Sequence, residues 1–189
     1  MGRLLVLGLL VVVTSSATAL FTDVAGVTRV GAKPIEDAVV WIDAPPGAGQ
    51  AEAPPAVLSQ RDIQFSPHVL AVQVGTKVKF PNQDRVFHNV FSYHDGKKFD
   101  LGVYPIGAVK YVKFDRPGVS RLFCNIHPGM AAYVVSVDSP YFAASDDEGS
   151  YVIHAPPGRY TYHAWRAGGT PLTGEVTVGD GNSFDIQWP

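Results

Sequence analysis

The chain has 189 residues, and its 15 Lys and Arg against 17 Asp and Glu leave a net charge of −2. With that balance and no basic tract, the sequence excludes a nucleic-acid partner held through its phosphates. Aromatic and β-branched residues are plentiful, 19 Gly and 15 Pro punctuate the chain every few positions, and no long run of 3.6 period occurs. Together these exclude a helical bundle and predict an all-β protein of short strands.

The N-terminus reads as a leader. Arg3 supplies a positive start, Leu4 to Val13 form an apolar run broken only by Gly8, and small polar residues lead into Ala17-Thr18-Ala19. This order of charged, apolar and small residues predicts a signal peptide over 1–19, cut after Ala19 and so directing export to the periplasm or beyond. The apolar run is shorter than the roughly 20 residues a membrane span needs, so no span is expected once the leader is removed. Removing Arg3 with it leaves 14 cations against 17 anions, or −3.

Behind the leader, Val27–Val30 and Ala38–Ile42 read as strands joined by Gly31-Ala32-Lys33-Pro34. Ala44 to Ala56, rich in Ala, Pro and Gly, reads as a connection. Evenly spaced strands then run to Asp138: Ile63–Phe65, Val69–Val74, Lys77–Phe80, Val86–Tyr93, Val109–Phe114, Ser120–Phe123 and Ala132–Val137. Val72, Val74, Val78 and Phe80 keep a period of two around Gly75-Thr76, which predicts a hairpin with one apolar face. Between Tyr93 and Tyr104 the stretch His94-Asp95-Gly96-Lys97-Lys98 reads as a charged insertion. Beyond Ser139, the acidic run Asp146-Asp147-Glu148 is a solvated turn, because it lacks the ligand spacing of a calcium loop. The strands Tyr151–His154, Tyr160–Trp165, Leu172–Val178 and Ser183–Trp188 finish the chain.

Cys124 is the only cysteine, so it has no internal disulfide partner. Its surroundings suggest another use. In Cys124-Asn125-Ile126-His127-Pro128-Gly129-Met130, a thiol, an imidazole and the only thioether besides Met1 fall within seven residues. These donors suit a metal that cycles between a soft and a borderline oxidation state. Two His and one Cys with a weak axial Met is a copper electron-transfer set. The second imidazole must come from another strand, and His88 stands at the start of one, after the turn Asn82-Gln83-Asp84-Arg85. Zinc could use Cys124, His127 and His88, but structural zinc prefers more thiolates and seldom takes Met. A two-copper centre needs a second cysteine. His68 and His94 read as surface or packing residues, and His154 and His163 as strand residues outside the site.

The pattern Phe65-x-Pro67, Val72-x-Val74-Gly75-Thr76-x-Val78-x-Phe80, Asn82-x-Asp84, His88-Asn89-Val90 and Cys124-x-x-His127-x-x-Met130 resembles the cupredoxins of the amicyanin and plastocyanin branch. The resemblance covers residues 57–138. It implies one type 1 copper held by His88, Cys124 and His127 with Met130 axial, and Asn89 bonded across to the cysteine loop. It also implies an apolar rim of Ile126, Pro128 and Gly129 for docking a redox protein such as a c-type cytochrome or a dehydrogenase. The outer segments, with Lys33-Pro34-Ile35-Glu36-Asp37-Ala38-Val39-Val40, Gly149-x-Tyr151-x-Ile153 and Pro156-Pro157-Gly158-x-Tyr160, resemble the carboxypeptidase regulatory-like, or transthyretin-like, β-sandwich. The pairing is similar to exported bacterial proteins labelled methylamine-utilisation proteins.

The fold expected is therefore a cupredoxin Greek-key β-sandwich (57–138) inserted into a second, smaller β-sandwich made by 20–56 and 139–189. The function expected is one-electron carriage, without an enzymatic constellation. The alternatives are copper storage, delivery or resistance, and a structural or interaction β-sandwich.

Overall fold

The computed structural model describes residues 21–49, 55–93, 95–179 and 181–189. The leader over 1–19 lies outside the described residues, as do His94 and residues 50–54 of the connection. Strands and turns account for the described chain. β1 (Thr22–Val30), β2 (Lys33–Pro34) and β3 (Val39–Ile42) precede the connection. After it come β4 (Ser59–Arg61), β5 (Gln64–Ser66), β6 (Val69–Gln73), β7 (Lys77–Pro81) and β8 (His88–Ser92). β9 (Phe99–Tyr104), β10 (Val109–Lys113), β11 (Gly118–Phe123) and β12 (Ala131–Val137) follow. β13 (Phe142–Ala144), β14 (Ser150–Ala155), β15 (Gly158–Trp165), β16 (Leu172–Val178) and β17 (Ile186–Trp188) complete the chain.

The strands between 59 and 137 form a five-stranded sheet in the order β6-β12-β11-β8-β9, a two-stranded sheet β10-β7, and the hairpin β4-β5. Inward residues of the two larger sheets share one core: Val72, Val90, Leu122, Ala132 and Val134 from one, Val78, Phe80 and Val112 from the other. This is the two-layer solution for sheets that each carry one apolar face.

The flanking strands pair only with each other. β1 lies between β14 and β17, and β3 between β13 and β15, with β16 beyond. Their core is separate and holds Val24, Val40, Ile42, Tyr151, Ile153, Val178 and Trp188. The chain leaves these strands at Ile42 and returns at Tyr141, where the Ile42 amide donates to the Tyr141 carbonyl at 3.1 Å. The two cores meet through a third cluster, in which Val69, Val135 and Val137 of the inner strands pack on Val39, backed by Trp41 and Trp165. β12 is thus covered on both faces, which explains why Val134-Val135-Ser136-Val137 loses the alternation of an ordinary half-exposed strand.

Two expectations differ from the structure. The alternating residues around Gly75-Thr76 do not form a hairpin, because β6 pairs with β12 in parallel and β7 pairs with β10. The turn instead carries the chain from one sheet to the other. Its polar groups are satisfied elsewhere, the Gly75 amide donating to Phe114 and the Val74 amide to Val137. Val72, Val78 and Phe80 still share one core, since the apolar period survives a change of sheet. Within the segment from Tyr93 to Tyr104, β9 is a genuine strand and pairs with β8, with a bulge between Asn89 and Phe91. Phe99 and Leu101 pack against the core there.

The acidic run is a turn, as expected. The Asp146 carboxylate accepts the amides of Glu148 at 3.0 Å and Ser150 at 2.7 Å.

Candidate metal centre

β11 and β12 form an antiparallel pair whose last register partners are Phe123 and Ala131. Between them, residues 124–130 make a tight loop, closed by the Cys124 amide on the Met130 carbonyl and the Met130 amide on the His127 carbonyl, both 3.2 Å. Gly129 has φ +86°, a left-handed conformation that glycine adopts without penalty. β8 lies beside β11 with Phe91 opposite Phe123, and its first residue is His88. Two sheet neighbours thus bring a local loop and one remote histidine to the same end of the sandwich.

The donor atoms converge. His88 Nδ1 and His127 Nδ1 are 3.2 Å apart, and Cys124 Sγ lies 3.9 Å from the first and 3.8 Å from the second. A triangle with these sides has a circumradius of about 2.1 Å, so one point lies at metal–nitrogen bonding distance from both imidazoles and close to thiolate bonding distance. Soft sulfur plus two imidazoles in trigonal array is the donor chemistry of one type 1 copper, and the residues fit it. His88 and Cys124 are buried, whereas His127 is partly exposed, so His127 is the imidazole that reaches the surface. Met130 is also buried, at the foot of the loop and inside the same core.

Beyond His127, Ile126, Pro128 and Gly129 are all exposed, as a docking rim requires. Other apolar side chains near this end are exposed as well. Val86 and Phe87, immediately before His88, are exposed, and so is Val103, the register partner of Asn89. Exposed large apolar groups clustered around one end of a sandwich are the signal to look for, since scattered ones are ordinary.

Asn89 behaves differently from the expectation. Its amide group donates to the Asp100 carboxylate at 2.8 Å, and its Oδ1 is buried without a partner. The bond therefore runs to β9 and not to the cysteine loop. The bulge between Asn89 and Phe91 shifts the β9 register here, and an ionised carboxylate is a stronger acceptor than a loop carbonyl.

A second carboxylate was not foreseen as part of the site. Asp84 Oδ2 lies 3.0 Å from His88 Nε2. The turn that carries it is organised by Asn82, which is buried and donates to the carbonyls of Val86 at 2.9 Å and Tyr104 at 3.2 Å. Asn82 Oδ1 in turn accepts the Asp84 amide at 3.0 Å. Its sequence signal is a carboxylate four residues ahead of a ligand histidine.

The other described histidines stay outside the centre. His68 meets Asp37 at 3.0 Å, and His163 meets Asp43 at 2.9 Å while stacking on Trp41. His154 pairs with Asp23 at 2.7 Å. Among the described residues, His88, Cys124 and His127 form the one cluster able to hold a metal.

Residues 55–137 match the family described as copper binding proteins, plastocyanin/azurin family. Among solved structures, the chain is similar to a purple cupredoxin from Nitrosopumilus maritimus, with 26% identity and a TM-score of 0.41, covering 43% of this chain and 99% of that one. It is similar also to an oxidized amicyanin mutant, with 20% identity and a TM-score of 0.42, covering 52% of this chain and 98% of that one. A copper-containing nitrite reductase from Thermus scotoductus SA-01 shares 22% identity at a TM-score of 0.44 and covers 59% of this chain and 28% of that one. No curated protein matches the chain.

Proposed function

From the match of residues 55–137 to the plastocyanin/azurin copper-binding family, we propose that the protein is an exported one-electron carrier and not an enzyme. The observation that carries the reading is the convergence of His88 Nδ1, Cys124 Sγ and His127 Nδ1 on a single point. When bound, copper supplies one-electron chemistry between Cu(I) and Cu(II).

The chain's own residues do the rest. His88 is fixed by the turn before β8, and Cys124 and His127 by the loop that closes on Met130. A donor triangle already at bonding distance needs little rearrangement as the metal changes charge, which favours electron exchange over capture and release. Met130, buried at the end of the same loop, would supply a fourth, thioether donor. His127, partly exposed among Ile126, Pro128 and Gly129, presents the edge through which a c-type cytochrome or dehydrogenase would exchange the electron. The flanking strands form a second domain that braces β12, with 57–138 inserted between its strands.

Copper delivery is the competing reading, and it predicts different behaviour. The deciding experiment titrates purified copper-free protein with Cu(II) and follows the visible and EPR spectra, then the rate of reduction by ascorbate and by a c-type cytochrome. An intense thiolate-to-copper band with fast, reversible reduction supports the carrier. Copper that leaves on reduction and passes to a chelator supports delivery. Absence of any thiolate band overturns both.

A further inference from the structure

His88 is completely buried, and its second nitrogen faces a carboxylate. Asp84 cannot turn away from it. Its Oδ2 also accepts the Ile63 amide at 2.7 Å, and its Oδ1 accepts the Arg85 amide at 2.8 Å. The Ile63 amide comes from the tip of the β4–β5 hairpin, where Asp62 and Ile63 both take positive φ, 53° and 58°. Three donors from three chain positions thus converge on one carboxylate beside the metal centre.

We infer that Asp84 is a positioning residue for His88, which holds the imidazole with Nδ1 toward Cys124 and His127 and biases the centre toward its oxidised state. The inference rests on the copper reading above. An ionised carboxylate only accepts hydrogen bonds, so Nε2 must carry the proton and Nδ1 keeps its lone pair for the metal. Such an outer carboxylate fixes the ring and raises its basicity as a ligand. Charge counting gives the direction. With a thiolate bound, the oxidised centre carries +1 and the reduced centre 0, so a fixed negative charge beside His88 favours the oxidised state.

The test uses the full chain with Asp84→Asn and Asp84→Ala. In copper-free protein, nitrogen NMR of His88 should show the Nε2–H tautomer in wild type and in Asp84→Asn, whose amide oxygen can still accept, and a mixture in Asp84→Ala. In copper-loaded protein, both variants should favour Cu(I) by at least about tenfold more than wild type, a rise in potential of about 59 mV for one electron. An Nδ1–H tautomer in wild-type protein overturns the positioning role whether or not copper binds. An unchanged potential in Asp84→Asn overturns the electrostatic role even where copper binds normally. A wild-type protein that takes up no copper sinks the copper reading instead, and the tautomer measurement then decides the role of Asp84 alone.

Discussion

Removing the Cys124 sulfur tests the centre through stability as well as colour. Cys124 is buried against the inner core and within 4 Å of two imidazole nitrogens. In copper-free protein, Cys124→Ser exchanges a small side chain for a smaller one that can hydrogen-bond to those nitrogens. The intrinsic cost should stay near 1 kcal/mol, the scale of one neutral hydrogen bond. The larger effect appears with metal. A ligand that binds only the folded state stabilises it by about 2.7 kcal/mol when present at a hundred times its Kd. For a unit of 60–100 residues, each kcal/mol moves Tm by about 4–8 °C, so copper should raise the wild-type transition by about 11–22 °C. Without the thiolate, most of that gain should vanish along with the visible band. Scanning calorimetry and absorption of both proteins, with and without Cu(II), measure it. Equal copper-induced shifts in wild type and Cys124→Ser would show that the metal sits elsewhere and refute the ligand set.

Three other outcomes are expected. Met130→Gln should keep a coloured centre and lower its potential, because an oxygen donor stabilises the harder Cu(II); an unchanged potential in a redox titration means that Met130 is not axial. Pro128→Glu places a charge on the exposed rim beside His127, and stopped-flow reduction by a c-type cytochrome should slow while the spectrum holds; equal rates remove this face as the docking surface. Replacing residues 57–138 by a short Gly/Ser linker should leave a folded β protein, because Ile42 already bonds Tyr141 and the outer core draws nothing from the segment removed. That variant should be less stable than wild type, since uncovering Val39 alone forfeits about 1.5–3 kcal/mol, and an unfolded circular dichroism spectrum contradicts the two-domain reading.

The cluster of His88, Cys124 and His127 was legible because its chemistry is local: a thiol and an imidazole three positions apart need only one imidazole from a partner strand. What was misread depended on neighbours distant in sequence. Alternation in Val72–Phe80 reveals which side chains turn inward, but not which strand each segment pairs with, so a sheet-to-sheet corner looked like a hairpin. Charges at Asp95, Lys97 and Lys98 masked β9, although Phe99 and Leu101 carried the apolar signal. Asn89 bonds Asp100 because a bulge alters the register, and no spacing rule reveals a bulge. Asp84 was visible in the turn before His88, but its grip on the imidazole depends on the Ile63 amide arriving from another hairpin.

The contact between Ile42 and Tyr141 also dictates an order of assembly. Closing it across an unfolded stretch of about 100 residues costs roughly 4 kcal/mol of chain entropy, (3/2)RT ln n. Once the inner core has condensed, only about 16 residues of chain outside it separate the two ends, and the cost falls to about 2.5 kcal/mol. β1 and β3 are made first, yet apart from the short β2 beside β1 their partners β13, β14, β15 and β17 come from beyond residue 141. At 5–20 residues per second, the apolar Val39-Val40-Trp41-Ile42 waits roughly 5–20 s with no strand to pair with. Synthesis therefore leaves this apolar segment unpaired while the whole inner domain is made, and a chaperone that meets the chain before it folds should find a target there.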